Sequence, residues 1–187
     1  RQASCENTVD AVSEYLHGQE IDGYAAVNMG AIGTINHMAG GVTVTIEDDF
    51  SEIDPDLKQG ETICLTDKQA EEFIHDRWGV ADETNENRMH RQSVYMTELK
   101  RLIKEKCQQS STYPLDLYES VQDYMVTSIN KSKFSKLALL VAKEKDEGEV
   151  SVDGTVGTDE LGYATFEPNE QSLEAAIAEL FYEEYEE

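Results

Sequence analysis

Basic residues are scarce in this 187-residue chain: Lys+Arg total 15 against Asp+Glu 39, a formal net charge of -24. A polymer this acidic repels phosphate, so bulk electrostatic grip on nucleic acid is excluded and direct nucleic-acid binding is not expected. Long apolar runs are missing too. None approaches the ~20 residues a helix needs to span a bilayer, so no membrane association is expected. Proline (3) and glycine (12) are too few for a collagen-like or low-complexity chain. Cysteine is limited to Cys5, Cys64 and Cys107, far apart and without a CxxC pair, which does not make a disulfide framework. The chain opens at Arg1 with no charged-then-apolar leader, which reads as a processed product or fragment of an intracellular or virion-associated protein.

What is present is nine Tyr, five Phe, one Trp and several periodic segments, enough to bury a core in one folded domain, residues 1–187. Asn7 or Thr8 is positioned to cap a first helix with Val9, Val12, Tyr15 and Leu16 on one face and Gly18 as its stop. Residues 23–41 are small and glycine-rich, a pattern of close backbone packing. Val42-Thr43-Val44-Thr45-Ile46 alternates strictly and predicts a strand, followed by an exposed acidic loop over 48–61 and a short strand over 62–65. Thr66-Asp67-Lys68-Gln69 is a capping box that predicts a helix carrying Ala70, Phe73, Ile74 and Trp78 and ending at Gly79.

A longer helix is predicted over 85–108, and another from Asp116 to about 130. The run Lys136–Lys143 is taken as a strand, followed by strands at 149–152 and 163–166. Pro168-Asn169 opens a last helix with Leu173, Ala176, Ile177, Leu180 and Phe181 in an apolar stripe. About four helices packed with a small, mostly antiparallel sheet make an α+β fold the expectation.

The charge is uneven. Residues 1–60 carry net -9, residues 61–110 net -2 and residues 111–187 net -13. The middle block holds a locally basic helix, with Arg88, Arg91, Arg101 and Lys104 as a basic face. Two acidic regions flank it: Asp48, Asp49, Glu52, Asp54 and Asp56 in the 48–61 loop, and Glu183, Glu184, Glu186 and Glu187 in the 182–187 tail. Salt adaptation explains this poorly, because Glu (25) exceeds Asp (14) and Lys (10) exceeds Arg (5). The reading that follows is a non-enzymatic acidic interaction protein. Its partner would be a basic protein or a larger assembly such as a virion or phage particle, and it could act as an inhibitor that mimics DNA.

Motifs for cofactors are weak. Asp54-Pro55-Asp56 with Gly60 departs from an EF-hand loop, because Lys58 sits where an oxygen ligand belongs. His17, His37, His75 and His90 form no HxxxH pair, so a zinc site would require long-range assembly. Gly30-Ala31-Ile32-Gly33 lacks the third glycine of a dinucleotide fingerprint. No metal and no cofactor are expected.

One stretch offers enzymatic chemistry. Cys5 lies near a helix start, where the positive end of the dipole favours thiolate. Ser4-Cys5 followed by the apolar helix Val9–Leu16 and Gly18 resembles the nucleophile helix of papain-like cysteine hydrolases. The resemblance implies a hydrolase or deamidase alternative with His37 as base and Asp48 or Asp49 orienting it.

Overall fold

The computed structural model describes residues 2–80, 83–145, 148 and 150–182. The class is α+β, with seven helices among the described residues rather than about four and three separate two-stranded antiparallel ribbons rather than one small sheet. Two compact units account for the chain: Arg1–Cys5 with Gly23–Glu144, and Glu6–Asp22 with Lys145–Glu187.

In the first unit, β1 (Ala25–Val27) leads into α2 (Ile32–Ala39). The glycine-rich stretch therefore contains a helix that composition concealed. Gly40 ends it with φ 92, and Gly41 follows with φ 90, left-handed backbone that favours glycine. β2 (Thr43–Thr45) pairs with β3 (Thr62–Cys64), and the strict alternation buries Val42, Val44 and Ile46 as the period predicts.

The acidic loop between these strands is not a fully exposed segment. Phe50 and Leu57 are buried in it, and Phe50 stacks on Phe73 with ring centroids 5.7 Å apart. Burying such a side chain contributes about 2–3 kcal/mol, enough to fix the loop's path. Its acids serve local turns: Asp49 accepts from the Ser51 amide and Asp54 from the Asp56 amide, each at 2.9 Å. The Ser51 backbone and side-chain hydrogen bonds hold the Asp49 carboxyl below its ordinary range.

The capping box forms as read, with Thr66 accepting from the Gln69 amide and Gln69 from the Thr66 amide. The helix it starts, α3 (Asp67–His75), stops earlier than Gly79, because Asp76 turns extended at ψ 136. Trp78 consequently lies outside the helix and is exposed. α4 (Asn85–Gln109) buries Arg91, Tyr95, Leu99 and Cys107.

α5 (Tyr113–Val121) ends before 130, and the chain instead forms β4 (Met125–Thr127), antiparallel to β1. Of residues 136–143, expected as a strand, 136–141 belong to α6 (Lys131–Val141) and 142–143 form the turn that ends it. Asn130 caps this helix by accepting from the Lys133 amide at 2.9 Å. Two apolar clusters hold the unit. One joins the 42–46 strand, Phe50, Leu57, Leu65, Phe73, Tyr95 and Leu99, and the other joins Ala31, Cys107, Tyr113, Leu117, Val121 and Ala142.

The second unit takes in α1 (Gln2–Tyr15) from Glu6 onward, the hairpin β5 (Gly154–Thr158) and β6 (Ala164–Pro168), and α7 (Glu170–Phe181). α1 begins before the expected caps Asn7 and Thr8. Of the strand expected at 149–152, Glu149 lies outside the described residues and 150–152 are not strand, which forms instead at 154–158. Asn169 caps α7, whose Leu173, Ala176 and Ile177 are buried as the stripe predicted, whereas Leu180 and Phe181 are exposed. Gln19 donates to the Tyr182 hydroxyl at 2.8 Å, tying the turn after α1 to the end of α7.

Candidate functional site: a guanidinium cluster beside an apolar cavity

The end of α3, the start of α4 and the β2–β3 loop bring together a cluster of charged side chains in the first unit. Arg91, placed in the basic face by its sequence neighbourhood, is instead buried. Its Nη1 donates to Asp48 at 2.8 Å, its Nε to the Phe73 carbonyl at 3.0 Å, and its Nη2 to the Asp76 carbonyl. Its guanidinium also lies over the Phe50 ring at 5.3 Å. A cation this deep requires such pairing, since an uncompensated buried charge costs several kcal/mol.

Around it, His75 Nδ1 is 3.3 Å from Asp76, His90 Nε2 is 3.1 Å from Glu47, and Arg77 covers the Trp78 ring at 4.3 Å. Arg88 Nη2 donates to Asn85 at 2.6 Å, while its Nε is buried without a hydrogen-bond partner among the described residues.

Next to this cluster lies a cavity of about 440 Å³ with a largely apolar wall. Val27, Met29, Ile32, Ile35, Ile74, Tyr95, Met96 and Leu99 line it, and Asn28 and Gln92 supply polar groups. A cavity of that size and character suits a small amphiphilic ligand. The connection to the cluster is made by chain neighbours: Ile74 precedes His75, and Gln92 follows Arg91 and donates to the Ile74 carbonyl at 3.1 Å.

The remaining members of the basic face have local partners. Arg101 is clamped by Glu98 and Glu105, a contact that lowers the Glu98 carboxyl through its hydrogen bond with Arg101, and Lys104 reaches the Glu144 carbonyl. Of the acidic loop, Asp48 is engaged by Arg91 and Asp54 by Gln69 at 3.2 Å, while Glu52 and Asp56 are exposed. Glu183, Glu184, Glu186 and Glu187 lie outside the described residues. Cys5 is a half-buried free thiol within α1. His37, exposed on α2, has its Nδ1 3.4 Å from Asp67, and neither Asp48 nor Asp49 is its partner.

Sequence reading gave no role to Arg77, Gln92 or the cavity, and placed Trp78 on the helix rather than behind it. The available signal was the polar break His75-Asp76-Arg77-Trp78 directly behind an apolar helix face.

Fold and site together define an α+β protein with an apolar cavity flanked by a guanidinium–carboxylate cluster. The chain belongs to the LytR_cpsA_psr family, whose model matches residues 5–181. The Bacillus subtilis protein TagV has a similar structure, with 19% identity, TM-score 0.65 and coverage of 96% of this chain and 71% of that one. Lin1025 from Listeria innocua has 21% identity, TM-score 0.61 and coverage of 93% and 71%. A transcriptional regulator from Enterococcus faecalis, EF0465, has 18% identity and TM-score 0.67 over 94% of this chain and 63% of that one. At these identities the likeness is one of fold. Comparison with curated proteins gave no match.

Family membership overturns the functional expectations drawn from charge. The reading as an acidic interaction protein, DNA-mimic inhibitor or viral assembly subunit, and the alternative of a cysteine hydrolase built on Cys5 and His37, both give way to it. Net charge bears on solubility and association and says nothing about fold. Virion association has no support, and no described helix is long and apolar enough to cross a membrane.

Proposed function

We propose that this protein is a transferase-like protein of cell-wall teichoic acid or polysaccharide attachment. It would bind an amphiphilic carrier with the apolar chain in the cavity and the anionic end against the arginines of α4. Family membership supports the polymer class, and an apolar cavity lined by the same helix α4 that carries Arg88 and Arg91 supports the amphiphile. The observation that carries the reading is the cavity wall itself, built from Val27, Ile32, Ile35, Ile74, Met96 and Leu99 with Asn28 and Gln92 as its polar groups.

Each methylene moved from water into such a wall contributes about 0.8 kcal/mol, so a prenyl-type chain gains affinity from length alone. Guanidinium groups match phosphate oxygens in a bidentate fork, which makes a phosphorylated head the natural anionic end. Arg91 donates to Asp48, Phe73 and Asp76, so it supports the site, and Arg88, whose buried Nε has no hydrogen-bond partner among the described residues, is the candidate for the head once its side chain turns toward it.

The Enterococcus relative is named a transcriptional regulator, which raises DNA binding as a second reading. That reading would need a surface able to hold DNA phosphates, and a chain of net charge -24 whose Arg101 and Lys131 are taken up by Glu98, Glu105 and Glu119 is a poor fit.

Calorimetric titration with farnesyl diphosphate tests the proposal. Saturable binding is expected, weakened about tenfold or more by Met96→Trp, which fills the cavity, and by Arg88→Ala, with circular dichroism unchanged. Absence of binding, or binding indifferent to both substitutions, would sink the reading.

A further inference from the structure

We propose that the second unit carries a site for a divalent transition-metal ion, formed by His17, Glu170 and Glu174. One ligand atom from each, a ring nitrogen of His17 and an oxygen of each carboxylate, lies within 4.8 Å of the other two. His17 Nε2 and Glu170 Oε1 are already 3.1 Å apart. Glu170 and Glu174 sit one turn apart on α7, so their carboxylates project from the same helix face. Sequence spacing gave no local motif, and the fold supplies the long-range assembly by bringing the turn after α1 to the first turn of α7.

The donor set selects the ion. Calcium and magnesium are held by oxygen donors, whereas an imidazole nitrogen with two carboxylates suits zinc and its first-row neighbours. Zinc bonds of about 2.0–2.2 Å place tetrahedral ligands about 3.4 Å from one another. The three side chains are exposed and their ligand atoms already lie within 4.8 Å of one another, so closing to that spacing asks for a shift of roughly 1 Å. Three protein ligands leave the outer positions to water.

Charge provides an independent argument. The second unit, residues 6–22 and 145–187, holds 19 acidic residues against the single lysine Lys145, net -18 of the chain's -24. His17 is its only histidine. Like charges one turn apart on a helix are destabilising. Within the unit the basic side chains able to offset the Glu170–Glu174 pair are His17 and Lys145, and a dication neutralises two carboxylates at once. Bound there, it would staple the turn following α1 to α7 and raise the melting temperature with the logarithm of the free-ion concentration above its Kd.

Titration of chelator-treated protein with ZnCl2 at 150 mM salt decides the matter. The expected result is one saturable equivalent and a rise in melting temperature. His17→Ala and Glu174→Gln should each weaken binding about tenfold or more. Glu179→Gln, on the same helix outside the cluster, should leave it unchanged. Co²⁺ should bind with a visible-absorption spectrum that His17→Ala abolishes. Circular dichroism of the variants shows whether they fold. Non-saturable heat, or binding unaffected by His17→Ala, would overturn the site and leave His17–Glu170 as an ordinary ion pair in an acidic field.

Discussion

Arg91 Nη1 donates to Asp48 at 2.8 Å, with the arginine side chain 5% exposed and the aspartate 16%. This pair joins the acidic loop between β2 and β3 to α4, and the same guanidinium binds the Phe73 and Asp76 carbonyls at the end of α3. Replacing Arg91 by Ala leaves a half-buried carboxylate and two carbonyls without their donor. The expected loss of folding stability is about 3–5 kcal/mol by urea denaturation. Asp48→Asn, which keeps an acceptor for Arg91, should cost clearly less. Equal losses for the two variants would show that the ion pair itself, rather than the guanidinium's contacts with the backbone, fixes the loop.

Leu99 is shared by the apolar core and the cavity wall. Leu99→Ala should enlarge the cavity and destabilise the protein by about 2–5 kcal/mol. A prenyl-type ligand that occupies the enlarged space should recover part of this loss, visible as a larger melting-temperature rise on adding farnesyl diphosphate than the unaltered protein shows. An identical rise in both proteins would place the ligand elsewhere.

The two side-chain caps read from sequence offer a direct comparison. Thr66 accepts from the Gln69 amide and Asn169 from the Ser172 amide at 3.0 Å. Thr66→Ala and Asn169→Ala should each reduce stability by about 1 kcal/mol, measured by urea denaturation. The Thr66 change should be the larger, because the reciprocal Gln69 bond is disturbed with it.

Local rules worked where one signal governed the outcome. Val42, Val44 and Ile46 bury by strand period, Thr66–Gln69 starts a helix by chemistry, and Leu173–Ala176–Ile177 face inward by helix period. They failed where burial depended on distant chain. Leu137, Leu140 and Val141 look like a buried strand because they are apolar, yet they lie exposed on α6, which Asn130 starts. Arg91 looks like surface because it is charged, and it is buried because Asp48, distant in sequence, and two carbonyls satisfy it. The cavity could not be read at all, since its wall draws on β1, α2, α3 and α4 and no short segment contains it. The His17–Glu170–Glu174 cluster escaped for the same reason.

Alkaline pH should expose a further property of the core. Burial pushes the Cys107 thiol above its ordinary 9.0 and the Tyr95 hydroxyl above its ordinary 10.0. Burial, with a smaller contribution from Cys107, pushes Tyr113 from 10.0 to about 12. These groups stay protonated in the fold while the unfolded chain ionises first. The unfolded state therefore binds fewer protons between the two values, and stability falls as pH rises. Full stability is expected below pH 9, with a decline through the range from 9 to about 12. Each group ionised solely in the unfolded chain contributes about 1.4 kcal/mol per pH unit. Urea midpoints measured at pH 7, 9 and 10.5 should drop over the last interval. Tyr113→Phe loses the hydroxyl's hydrogen bond to the Met38 carbonyl, so it should start about 1 kcal/mol lower and decline less steeply. A midpoint constant across that range would mean that water reaches these groups in the folded protein.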